Sequence, residues 1–204
     1  SIAVGRKAVA DGTNAQAMGV NARATGAKSL AIGSDSVAQT AGDIAIGSGA
    51  NAIYGVAGIP AVTSTGVAIG KNSTAKGSVS IGESANSDRF GIAIGYRAGA
   101  ENTTTGTSIS NITIGSNTRV GESGKKVGQG IAIGSGVQND EGAWARGDQS
   151  IAIGSNTKAL GDSSIVIGGD DLDAVANSSS SYTKKIFNKS GTQISTENVN
   201  KNLN

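Results

Sequence analysis

A block of four residues closing on glycine recurs eleven times along this chain, and that recurrence constrains the fold more than any other feature. It reads Ile2-Ala3-Val4-Gly5, Gln16-Ala17-Met18-Gly19, Leu30-Ala31-Ile32-Gly33, Ile44-Ala45-Ile46-Gly47, Val67-Ala68-Ile69-Gly70 and Val79-Ser80-Ile81-Gly82. It continues as Ile92-Ala93-Ile94-Gly95, Ile112-Thr113-Ile114-Gly115, Ile131-Ala132-Ile133-Gly134, Ile151-Ala152-Ile153-Gly154 and Ile165-Val166-Ile167-Gly168. The residue before the glycine is apolar in every copy. The residue three before it is apolar in all but the Gln16 copy, and a small residue usually lies between. Large-small-large is the period of a β-strand, with two big side chains on one face and a small one on the other.

After the glycine comes a second short alternation, as in Ala22-Arg23-Ala24-Thr25-Gly26 and Thr157-Lys158-Ala159-Leu160-Gly161. Each coil therefore reads as strand, tight turn, strand, tight turn. Glycine stands at the corners, where a positive φ or a close backbone approach favours a residue without Cβ. Gly5, Gly19, Gly33 and Gly47 are 14 residues apart. That is too short for a βαβ unit, whose crossover takes about a dozen residues, and sufficient for one two-stranded turn of a solenoid. Eleven coils at about 4.8 Å each predict an all-β rod on the order of 50 Å long. The two large residues of each coil are expected to be buried inside it. They bury too little to offset the entropy of ordering the coil. The small Ala and Ser face is then expected to pack on neighbouring chains, and threefold closure suits a narrow rod. A homotrimer is predicted.

Composition narrows the functions. Glycine at 32 residues and aromatics at 3% would point to disorder without the repeat. A net charge of +2 with scattered Lys and Arg gives no footprint for nucleic acid. The absence of Cys and His removes disulfides, thiolate metal sites and every Ser-His or Cys-His arrangement. No cofactor or metal is expected. Apolar runs are far shorter than the roughly 20 residues of a membrane-spanning helix. The opening in mid-repeat, at Ser1, predicts a piece of a longer protein.

Copies such as Ser29-Leu30-Ala31-Ile32-Gly33-Ser34 and Ser150-Ile151-Ala152-Ile153-Gly154-Ser155 resemble the repeats of the YadA-like head of trimeric autotransporter adhesins. The resemblance covers residues 1–168. It implies a left-handed parallel β-roll in a homotrimer, exposed at a Gram-negative cell surface on a stalk with a C-terminal outer-membrane anchor. It also implies attachment to extracellular-matrix proteins of the collagen, fibronectin or laminin class, and autoaggregation. Residues 169–204 would form a head-closing, neck-like segment: Gly169 to Val175 resembles the closing stretch, and residues 176–204 are expected to be an extended polar loop with a helix start at Glu197 to Leu203.

Insertions break the repeat at Ile53 to Thr65, Glu101 to Ser110, Gly121 to Gln129 and Asp140 to Ala143, and solenoid insertions often carry recognition. Trp144, Arg146, Tyr54 and Arg97 are the candidate ligand contacts, chosen by loop position and residue type. The alternative for Trp144 is shielding a wide corner or packing on another protomer, and Tyr96, Phe90 and Tyr182 are weighed in the same way. Arg146-Gly147-Asp148 matches the integrin-binding tripeptide, yet aligns with the repeat turn Leu160-Gly161-Asp162. Asp170, Asp171 and Asp173 offer carboxylates for calcium without the regular spacing of calcium-binding rolls. The sequons at Asn72 and Asn102 are matches expected by chance in a Ser- and Thr-rich repeat. Two other function classes compete: a hexapeptide-repeat acyltransferase, disfavoured by the 14-residue period and the lack of histidine, and a non-adhesive spacer or ice-binding rod, for which no regular lattice-matching face is evident.

Overall fold

The structure is a computed structural model that describes residues 1–53, 65–100, 110–122, 127–138, 141–169, 179–187 and 193–202. It divides into two units, Ser1–Gly169 and Asp170–Asn204. In the first, three-residue strands alternate along the chain with two-residue strands. The three-residue strands, from Ile2–Val4 to Ile165–Ile167, stack in chain order into an 11-stranded sheet, and the two-residue strands, from Val9–Ala10 to Lys158–Ala159, into a 10-stranded one. Pairing is parallel throughout both sheets, so the fold is a parallel β-roll, as the repeat predicts. Register holds across insertions of different length: Ile44 pairs with Val67, and Ile112 with Ile131.

The corners explain the glycines. At Gly33 φ is +127°, and a Cβ there would lie 2.5 Å from the carbonyl oxygen of Gly47 in the next coil. Gly47 stands in the same relation to Gly70 at 2.6 Å. Two residues after these corners the backbone is left-handed again, at Asn21, Asp35, Asn72 and Asn117 with φ of 54° to 58°. Asn and Asp are the side chains that tolerate this region best.

The interior is mostly alanine, with Val120 and Val127 its largest buried side chains, which corrects the expectation that the large residues of the repeat are inside. Ala17, Ala31, Ala45, Ala68, Ala93, Ala132 and Ala152 of the longer strands, and Ala24, Ala38, Ala52, Ala75, Ala145 and Ala159 of the shorter ones, expose no surface. The flanking large side chains point outward and are half-buried or exposed, with Ile81 and Ile94 each 37% accessible. The cause is width. Turns of four or five residues, such as Gly33 to Ser36 and Gln39 to Asp43, join the sheets and leave a gap that methyl groups fill. Where the central residue is polar it is satisfied inside: Ser80 Oγ donates to Thr74 O at 2.7 Å, and Thr113 Oγ1 to Ile92 O at 3.2 Å.

Insertions enter only at turns. Extra chain lies between Ala52 and Val67, between Ala100 and Ile112 and between Val120 and Ile131, all leading from a short strand to a long one; a further one separates Ile133 from Trp144. Two buried side chains fasten the roll where it resumes. Asp43, 1% accessible, accepts hydrogen bonds from Gly66 N–H at 2.7 Å and Thr40 N–H at 2.6 Å. Asn111 accepts from Gly130 N–H at 2.9 Å and donates to Val127 O at 3.3 Å. Both precede a long strand, a position where Ser29, Ser150 and Ser164 instead donate to the glycine carbonyl three residues earlier.

The second unit is an antiparallel hairpin of Ser179–Phe187 with Gln193–Asn202, its register shifting between Ile186 and Phe187. This corrects the expected polar loop and helix start: Glu197 pairs with Lys184 in a strand that runs to Asn202, and Leu203 lies outside the described residues. Tyr182, Thr183, Ile186, Ile194, Thr196 and Val199 supply β-branched and aromatic residues that favour strand over helix. No helix occurs among the described residues.

Gly33→Ala is expected to destabilise the roll by about 3 kcal/mol or more, through left-handed strain and collision with a backbone carbonyl; denaturant unfolding measures it. Burial pushes the Asp43 carboxyl pKa up, against the backbone N–H groups of Gly66 and Thr40 that favour its charged form. A raised folded-state pKa gives stability that is full below the unfolded pKa and is lost as pH rises through the folded value. The melting temperature of the wild type relative to Asp43→Asn should therefore fall as pH rises above about 4. The opposite trend would show the hydrogen bonds outweighing burial.

Candidate functional site

The outward residues of the short strands form a column up the second sheet, each beside its counterpart in the next coil. From the N-terminal end it runs Val9, Arg23, Val37, Asn51, Thr74 and Asn86. It ends with Gly99, Arg119, Trp144 and Lys158. Arg23 stands alone, whereas Arg119 and Lys158 flank the only tryptophan of the chain.

Trp144 is half-buried and held on several sides. Its indole Nε1–H donates to Gly121 O at 2.7 Å, and the Arg119 and Arg146 guanidinium carbons lie 4.7 and 5.7 Å from its ring centroid. Arg146 also pairs with Glu122, Nη2 to Oε1, at 2.6 Å. Cation–π attraction and this ion pair fasten the side chains into one cluster. Arg119 and Glu122 were not among the sequence candidates. Arg119 had a readable signal, because it follows Gly115 by four residues just as outward-facing Arg23 follows Gly19.

Arg146-Gly147-Asp148 is built into the turn of a coil. Besides the Arg146–Glu122 pair, Asp148 Oδ1 accepts from Gly128 N–H at 2.8 Å, and Asp148 N–H donates to Asp162 Oδ1 at 2.9 Å. Both charged ends of the tripeptide thus contact the protein itself.

Arg97 lies at a separate corner with left-handed φ of 53°, its guanidinium 5.7 Å from the ring centroid of Tyr96. Tyr96 is 47% accessible, as is Phe90 beside Arg89. Between this corner and the inserted turn after Ile133 opens a cleft of about 650 Å³, lined by Tyr96, Arg97, Asn117, Gln138, Glu141 and Lys158 among others. Arg97 and Lys158 are therefore brought together, while Trp144 and Arg146 belong to the neighbouring cluster. Tyr54 lies outside the described residues, as do Asn102, Asp170, Asp171 and Asp173; Tyr182 is in the hairpin. Among the described residues, no three His, Cys, Asp or Glu side chains converge in a way that could hold a metal ion. The face offers cations, amides and aromatic rings, a set suited to binding.

The family model of the YadA head domain repeat, spanning two copies, matches residues 1–22, 10–36, 24–50 and 145–170. These segments match as YadA head repeats. Coils between the matched segments continue the same ladder without a break, from Val67–Ile69 through Ile131–Ile133. Their insertions alter the spacing, but glycine corners and a small central residue persist. The matches and the unbroken ladder support a YadA-like head, and the YadA head family is a structural adhesin family, not an enzyme family. No curated protein matches the chain.

Trp144→Phe should cost about 1 kcal/mol through loss of the Gly121 hydrogen bond, and Trp144→Ala about 2 to 3 kcal/mol as the cluster loses its centre. Chemical unfolding of both variants checks this, and an alanine variant as stable as wild type would show that the cluster contributes nothing to the fold.

Proposed function

We propose that this YadA-like head works as a homotrimer at the bacterial surface, attaching to host extracellular-matrix or cell-surface components and to neighbouring cells. The observation that carries the reading is the outer face of the 11-stranded sheet. Because alanine fills the interior, large aliphatic side chains project from this face in two columns, including Ile32, Ile46, Ile69, Ile81, Ile94 and Ile114 in one of them. Ile81, Ile94 and Ile114 are 36% to 37% accessible in the single chain. A contiguous apolar face of this kind marks a surface that another chain covers. A second copy presents the same columns at the same spacing, and closure around a threefold axis would bury all three faces against one another.

Trimerisation also supports the adhesive role. Three identical heads offer equivalent weak sites, and linking them raises avidity by about 10² to 10⁴ without any new contact. Adhesion to collagen, fibronectin or laminin is the form in which this reading is to be tested.

Analytical ultracentrifugation should give a trimer for the wild-type head and a monomer for Ile94→Glu/Ile114→Glu, which sets two charges into one column. Binding to immobilised collagen, fibronectin and laminin should then fall by about 100-fold or more in the double variant. A trimer that survives both charges would refute the interface. A trimeric head that binds no matrix protein and does not aggregate cells would favour the spacer reading.

A further inference from the structure

The cleft beside Tyr96 and Arg97 has a specific chemistry. The described residues of its inserted wall are tied together: Glu141 Oε2 accepts from the N–H groups of Val137 and Gln138, each at 3.0 Å, and Glu141 O accepts from Asn156 N–H at 2.6 Å. Asn117, 4% accessible, ties the floor to that wall, its Nδ2–H donating to Gly136 O at 2.9 Å. The carboxylate of Glu141 is thus engaged in holding its own loop. Lys158 is exposed, with no ion pair among the described residues, and brings a positive charge into the cleft that Arg97 also lines. Gln138 adds an amide, and Tyr96 an exposed aromatic ring.

We infer that this cleft binds an acidic saccharide, one charged sugar unit of a longer glycan. This deepens the adhesin reading and rests on it. A carboxylate or sulfate would meet Arg97 and Lys158 through charge-assisted hydrogen bonds. Ring hydroxyls would meet the amide of Gln138, and the apolar face of a pyranose would lie on Tyr96. The rest of the glycan would follow the short-strand column back from Lys158 over Trp144 to Arg119, two strand spacings away, about 9.6 Å. Glu122 and Glu141 interrupt the positive face, which suits a polymer with spaced charges better than a nucleic acid with a phosphate at every residue. The hydrogen bonds that already hold Gln138 and Glu141 lower the ordering cost of binding.

Isothermal titration of the trimeric head with three octasaccharides tests the inference: heparin-derived, carrying sulfate and carboxylate; hyaluronan, carrying carboxylate alone; and neutral maltooctaose. At least one acidic probe should bind, more weakly as salt is raised, and the neutral probe should not. Which acidic probe binds identifies the anion. Lys158→Gln and Arg97→Asn, the latter suited to the left-handed backbone, should each weaken binding about five- to tenfold. Lys28→Asn, which removes the same charge from a distant exposed turn, should leave it unchanged. Binding of maltooctaose as strong as that of the acidic probes, or no loss in either cleft variant, would overturn the inference. With matrix-protein binding measured in parallel, a head that holds matrix protein but ignores both acidic probes overturns the cleft and leaves the adhesin reading standing. A head that binds neither overturns both.

Discussion

Backbone contact between successive glycine corners sets the scale on which the rest of the roll is built. Gly33 and Gly47 approach so closely that neither has room for a Cβ, which lets coils stack at the spacing of a β-sheet. Turns of four or five residues then hold the two sheets near each other, and alanine and serine are what fit between them. Such an interior gains little from burial per residue, since a methyl group removes far less apolar surface from water than an isoleucine. The large side chains that might have formed a core are displaced to the outside. The apolar outer face therefore begins at the corners.

The course of the backbone was legible in the sequence, because strands, corners and register all leave a periodic trace in residue type. The direction in which each side chain faces was not. Alternation assigns residues to two faces but does not say which face is inside; here turn length decides it, and it puts Ala45 in and Ile44 and Ile46 out. The hairpin was hidden for another reason. Its strands are rich in Ser, Asn, Lys and Thr, so the β-formers Tyr182, Ile186 and Val199 stand among residues that read as loop. At the site, Trp144 and Arg146 could be chosen by type and position, whereas Glu122 requires knowing how unequal insertions align. The cleft could not be read at all, because its two walls come from coils some 40 residues apart.

The insertions show how a solenoid of this kind accepts extra chain. A coil that leaves the ladder must return to it in register, and the first residue back has a backbone N–H that needs a partner. Asp43 and Asn111 supply one at Gly66 and Gly130, where the serine of an ordinary coil would satisfy only its own turn. The two substitutions differ in kind. Asn111 is neutral and both accepts and donates, while Asp43 sets a carboxyl group in a buried position against two N–H donors.

The placement of insertions separates the two surfaces of the roll. None interrupts a described strand, so the columns of the 11-stranded sheet, apolar at every position but Gln16, run through every coil, including those that leave the chain's ordinary spacing. Changes in an inserted turn are then felt by the neighbouring turns and the short-strand column, where Arg119, Trp144 and Lys158 lie, more than by the columns of isoleucine. Under the proposed trimer, a self-association surface would have to stay uniform along its length, since each coil would have to match its copies in the other chains. A surface for recognition gains from being irregular. The roll keeps its apolar columns and its irregular polar column on different sheets, and the corner glycines transmit register across each insertion so that variation in one does not disturb the other.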